Sequence, residues 1–142
     1  MTHIADMIIA HPHPSGHLEA GDLAISIEAC LDCVASCGSC ADACLGEEGI
    51  ADLRHCIRTD QDCADICLAT ARMLQRQGGH HPAVLAPLLE ACLQACRNCA
   101  EECERHASMH DHCKICAEAC RRCEAACSTL LEKLRSSGES SH

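Results

Sequence analysis

Cysteine recurs along this chain at alternating steps of three and four residues. Cys30, Cys33, Cys37, Cys40 and Cys44 make one such run, and Cys113, Cys116, Cys120, Cys123 and Cys127 repeat it. Cys92, Cys96, Cys99 and Cys103 keep the same rhythm, and so do Cys56, Cys63 and Cys67 with one step missing. Steps of three and four hold side chains on one face of an α-helix, at the a and d positions that meet the interior of a bundle. Most bundles place Leu, Ile or Val there. A chain with thiols there has a core that is itself a row of soft-metal ligands.

A disulfide framework fits this pattern poorly. The 17 cysteines are odd in number. Helical neighbours at these spacings have Cβ atoms about 5–6 Å apart, whereas a disulfide wants roughly 3.5–4.5 Å. Met1-Thr2-His3-Ile4-Ala5-Asp6 carries neither the basic region nor the apolar run of a secretory signal. The expected setting is a reducing cytoplasm, where clustered thiols hold metal rather than pair. A net charge of −10 argues against nucleic acid as a partner. No stretch reads as the roughly 20 apolar residues of a membrane span.

The punctuation divides 142 residues into a single bundle with short extensions. Residues 1–17 read as a short helix over Thr2 to Ala10, then a His/Pro linker from His11 to His17. Residues 18–135 hold four helices: about Leu18 to Leu45 with Gly46 as its stop, Ile50 to Gln77 before Gly78-Gly79, Pro82 to Ala107, and one that starts after a break at Ser108 to Asp111. Residues 136–142 read as a frayed polar tail. Short connections make successive helices antiparallel, so the fold class is all-α: an up-down-up-down four-helix bundle with a cysteine-lined core and a short N-terminal extra helix.

This topology puts the first and third interhelical loops at one end. Counting inward from them, each helix carries thiols for about 11–14 residues, or roughly 16–21 Å. Leu23, Ile27, Leu74, Leu85, Leu88, Leu89, Leu130, Leu131 and Leu134 then take over the facing positions. The expected object is a tube lined with sulfur, plugged by leucine at one end. His55, His106, Met109, His110 and His112 ring the other end. Of these, His106, His110, Met109 and His112 are the candidate ligands beside the cysteines. His11, His13, His17, His80 and His81 read as loop residues, and Met73 as packing. Leu31, Val34, Ile57, Ile66, Leu68, Leu93 and Ile115 fall off the thiol face, either at helix flanks or in a subunit interface.

Thiolate and thioether ligands select Cu(I), zinc and iron–sulfur clusters. One Cu(I) per thiolate is neutral and can be buried in a long file, whereas each Zn(Cys)4 unit leaves two negative charges in the core. Cu(I) is therefore favoured, many ions per chain. A zinc or mixed d10 buffer and an iron–sulfur electron carrier remain as alternatives, although the ferredoxin pattern is absent. A thiol oxidoreductase needs an accessible, activated cysteine, so no catalytic role is expected.

The Cys-x2-Cys-x3-Cys-x2-Cys-x3-Cys runs at 30–44 and 113–127, with the run at 92–103, resemble the bacterial copper storage protein family. The resemblance spans about residues 18–135. It implies a four-helix bundle that stores many Cu(I) ions and assembles as a homotetramer, here similar to the cytosolic branch. The implied partners are copper donors and acceptors. Asp60 departs from the pattern, standing where a further thiol is expected.

Overall fold

The computed structural model describes residues 2–13, 18–77 and 79–140, the side chains of 137–140 excepted. Part of the expected linker (Pro14 to His17), Gly78, and Ser141 and His142 of the expected tail lie outside the described residues. The elements are α1 (Ile4–Ala10), α2 (Ala20–Leu45), a 3-10 turn at Ile50–Leu53, α3 (Arg54–Gln75), α4 (Pro82–His106) and α5 (Asp111–Ser140).

The helix boundaries follow local chemistry. Pro82 opens α4 in its first turn, where a missing N–H costs nothing. Gly46 closes α2, but at φ −85° and ψ −7°, so no left-handed cap is involved; its N–H bonds back to Ala43 O at 3.0 Å. The break before α5 falls at residues 107–110, and Asp111 is the first helical residue. The frayed tail is corrected: helix continues through Ser136 to Ser140. That stretch contains no proline, and one helical glycine costs only about 1 kcal/mol.

Helices α2 to α5 close a ring in which each packs on its sequence neighbours and α5 returns to α2. Glu47, after α2, reaches His110 and His112 at the start of α5, so the first and third loops do share an end. At the opposite end Lys133 of α5 pairs with Asp22 of α2 at 2.6 Å.

All 17 cysteines are buried. The leucine plug forms from Leu23, Ile27, Leu74, Leu85, Leu89, Leu130, Leu131 and Leu134. Leu88 is a correction, since it is only half-buried. Two residues outside the four helices complete the plug: Ile8 from α1 and Leu18. The buried Gln77 fastens α1 there by donating Nε2–H to Ile8 O at 3.3 Å. Of the apolar residues off the thiol face, Leu31, Val34, Ile57, Ile66 and Leu93 pack at the flanks, while Leu68 and Ile115 are exposed.

One expectation needs amendment. By length and composition, α2 is apolar enough to cross a membrane, with a mean hydropathy of 1.5 over an 18-residue window. Leu23, Ile25, Ile27, Leu31 and Val34 supply most of that value, with cysteine and alanine adding to it, and half of the window is buried inside the bundle.

The plug provides most of the aliphatic burial in a core without aromatic residues. Leu89→Ala should therefore cost about 2–5 kcal/mol, and the exposed Met7→Ala within about 0.5 kcal/mol. Urea denaturation of the reduced, metal-free protein, followed by far-ultraviolet circular dichroism, checks both. The same spectra should show a helical wild-type protein without metal, because neutral thiols pack as small apolar groups.

Candidate metal centre

The three-four rhythm turns each run of cysteines inward, and the four runs meet along the bundle axis. Nearest the plug, Cys30 Sγ lies 3.6 Å from Cys123 and 4.0 Å from Cys127, and Cys92 lies 3.8 Å from both Cys67 and Cys127. One step on, Cys33 meets Cys63 at 3.5 Å and Cys120 at 3.7 Å, while Cys96 meets Cys67 at 3.6 Å and Cys63 at 3.7 Å. Next, Cys37 lies 3.6 Å from Cys120, 3.7 Å from Cys116 and 3.9 Å from Cys99. Cys56 pairs with Cys103 at 3.7 Å, and Cys40 with Cys113 at 4.0 Å.

These thiols form quartets whose ligand atoms all lie within 4.8 Å of one another. A tetrahedron built on 2.3 Å metal–sulfur bonds has edges of about 3.8 Å, so the spacing suits a thiolate-bound soft ion. The quartets overlap. Cys33 belongs to one with Cys63, Cys67 and Cys96 and to another with Cys37, Cys63 and Cys120; Cys37 and Cys120 belong also to one with Cys99 and Cys116. Adjacent ions would therefore have to share thiolates. Removal from water disfavours the ionised thiol: burial pushes Cys44 up to about 11 and raises Cys113 as well. Burial therefore favours the neutral S–H form in the metal-free file.

Asp60 lies inside this file. It continues the α3 rhythm from Cys56 to Cys63 and is fully buried. Its Oδ1 accepts S–H bonds from Cys99 at 3.1 Å, Cys116 at 3.3 Å and Cys103 at 3.6 Å. Burial, reinforced by Cys116 and Cys99, pushes its carboxyl up to about 12, so it is a neutral acid. Its spacing from Cys56 and Cys63 signals an inward position; its hydrogen bonding to three thiols from two other helices does not show in the sequence.

At the end opposite the plug, His112 Nδ1 faces Cys40 Sγ at 3.5 Å and Cys113 Sγ at 3.6 Å. Together with Cys44 these make a quartet of a different kind, three thiols and an imidazole. Burial lowers the His112 pKa, but hydrogen bonds to Cys40 and Glu47 outweigh it and hold it above the usual histidine range. His110 stacks on His112 with ring centroids 5.3 Å apart. His106 Nε2 contacts Glu102 Oε1 at 3.2 Å. Sequence reasoning passed over Glu102, which is buried, and Glu47. The only signal was the four-residue step from Glu102 to His106.

Other candidates stay apart from the thiols. Met109 is 70% exposed on the rim, and His55 is an exposed residue whose Nε2 lies 4.0 Å from Glu102. His11 and His13 sit edge to face at 6.4 Å between centroids, with His11 beside Ile8 and Ile27 at the plugged end. His17 lies outside the described residues.

Residues 20–132 match the profile of a family described as copper storage protein. Over 104 residues the chain is 38% identical to the cysteine-rich protein YhjQ of Bacillus subtilis, covering 73% of this chain and 91% of that one. The copper storage protein Ccsp from Streptomyces lividans, loaded with 10 copper equivalents, superposes with a TM-score of 0.89 at 48% identity, over 92% of this chain and 98% of that one. Cu(I)-bound BsCsp3 superposes at 0.67 with 37% identity, over 75% and 94%.

The buried acid at Asp60 sets a pH dependence. Its folded pKa lies far above its unfolded value of 3.8, so above about pH 4 the unfolded chain binds fewer protons than the folded one. Stability is full below that point and falls as pH rises, with a limiting slope of about 1.4 kcal/mol per pH unit. In urea titrations of the reduced, metal-free protein between pH 5 and 8, Asp60→Asn should flatten this decline. Parallel profiles for wild type and variant would show that Asp60 is ionised in the core.

Proposed function

The chain belongs to the copper storage protein family, and we propose that its thiol file stores many Cu(I) ions as shared, neutral Cu–thiolate units. The overlap of the quartets carries this reading. Isolated tetrahedral zinc sites each need four ligands of their own and leave two negative charges per site in a dry core. A file in which Cys33, Cys37 and Cys120 each serve two neighbouring groups suits a monovalent soft ion that bridges one thiolate to the next. Each Cu(I) displaces one thiol proton, so the core stays neutral as it fills.

The proposed ligands are the 17 cysteines, with His112 joining Cys40, Cys44 and Cys113 at the mouth. His106 and His110, and the exposed Met109 on the rim, would receive and pass on ions. Direction follows from the asymmetry of the two ends. The far end is closed by Leu23, Leu74, Leu85 and Leu130, which offer no atom to hand an ion along. The role is storage and sequestration rather than catalysis, in the cytoplasm, where reducing conditions keep the thiols free. Copper donors and acceptors are the proposed partners. The exposed Ile25, Leu68 and Ile115 support self-assembly, for which a homotetramer is the proposed state.

Anaerobic titration of the reduced protein with Cu(I), against a strong chromogenic chelator, tests the reading. Loading should reach at least roughly one copper per thiolate; saturation near four ions would indicate isolated sites and sink it. Cys37→Ala with Cys120→Ala should lower capacity. His106→Ala with His110→Ala should change the rate of stopped-flow removal and the stored number by only a few ions. Unchanged kinetics in that variant, with faster exchange when the plug is trimmed to alanine, would reverse the direction.

A further inference from the structure

Glu47 lies two residues past the end of α2, its backbone N–H bonded to Cys44 O at 3.2 Å. Its carboxylate faces two imidazoles at once. Oε1 is 3.2 Å from His112 Nε2, and Oε2 is 3.5 Å from His110 Nδ1. The two rings are stacked, 21° from parallel. On the far side of the His112 ring, Nδ1 looks into the file at Cys40 and Cys113. The carboxylate thus sits outside, the imidazole in the middle and the sulfur ligands inside.

Elementary hydrogen-bond chemistry fixes the consequence. An ionised carboxylate only accepts, and a neutral imidazole has one donor and one acceptor nitrogen. Next to an ionised Glu47, the neutral form of His112 carries its proton on Nε2, which leaves the Nδ1 lone pair aimed at the thiols. Without Glu47, the competing arrangement is open: Nδ1–H donating to Cys40 or Cys113 sulfur, which blocks the nitrogen a metal needs. A histidine ligand whose second nitrogen is held by a carboxylate is oriented and made more basic, and loss of that partner typically costs 10–100-fold in metal affinity or activity.

Resting on the storage reading above, we infer that Glu47 is a positioning residue for copper uptake. It holds His112 as the Nε2–H tautomer, so that Nδ1 joins Cys40, Cys44 and Cys113 in taking the first ion at the mouth. Glu47 itself touches no copper. It governs how fast ions are accepted and leaves the size of the store unchanged.

Two measurements test this on the full-length protein. In the reduced, metal-free state at pH 8, long-range proton–nitrogen correlation spectra of the imidazoles should show the Nε2–H form of His112. Glu47→Ala should shift it toward a mixture of both tautomers. In stopped-flow transfer of Cu(I) from a chelated donor, Glu47→Ala should slow the first phase of uptake by roughly 10-fold, with titrated capacity unchanged. The same substitution made in a His112→Ala background should change the rate by less than about 2-fold, since residues acting through one another are not additive. Glu48→Ala removes an equal charge from the neighbouring exposed position and should leave the rate near wild type. An Nδ1–H tautomer in the wild type overturns the inference. So does a Glu47→Ala slowing that persists without His112, or one matched by Glu48→Ala. A low copper capacity in the wild type would instead count against storage itself and leave the metal-free tautomer result standing.

Discussion

Charge neutrality in a dry core is the constraint on which the rest of this structure depends. Seventeen thiols are buried together, and an ionised file would be prohibitively unstable at this density. Burial favours the protonated form while the protein is empty, and a monovalent ion can replace each proton without adding net charge. Protonated, they pack as small hydrophobes and support a folded bundle; ionised, they are strong soft-metal ligands. A single residue type therefore serves as both core and binding site. Asp60 obeys the same rule. Surrounded by thiols, it stays a neutral acid, and its oxygen accepts S–H bonds that a further cysteine would have met less well.

The two ends of the tube differ for a reason of packing. Thiols are too small to fill a bundle alone, and the chain has no aromatic residue to make up the volume. The leucine layer compensates, and α1 adds Ile8 to it, anchored by Gln77. Concentrating the aliphatic volume at one end leaves polar chemistry to the other. There, two carboxylates outside the thiol file, Glu47 and Glu102, contact the three mouth histidines. The same division of labour gives one end its aliphatic packing and the other its ion-paired histidines.

Much of this was readable from spacing, because a strict alternation of threes and fours admits only one regular structure with a common face. Four helices, their pairing, the plug and the inward set of cysteines all follow from that period together with Pro82, Gly46 and Gly79 as punctuation. The misreadings occur where periodicity is silent. Ser136 to Ser140 looked like a tail because they are polar, yet nothing there stops a helix. Leu88 was counted in the plug because it is leucine, but it sits one position off the facing stripe. The membrane-like hydropathy of α2 is spread over Leu23, Ile25, Ile27, Leu31, Val34 and its cysteines and is interrupted by Glu28 and Asp32, so no unbroken apolar run marks it.

Which residues face inward and what chemistry they bring are legible in the chain alone, because both are properties of one helix and its side chains. How those residues combine is set when the helices pack against one another. That Cys33 and Cys37 serve overlapping quartets, that Asp60 meets thiols from two other helices, and that His112 rather than Met109 touches the file all depend on the relative height of neighbouring helices. Glu47 is the clearest case. Nothing near residue 47 signals a role, because its partners lie 63 and 65 positions away at the start of α5. Bundle closure alone brings the carboxylate against those imidazoles, and distances across helices are set by packing, not by period.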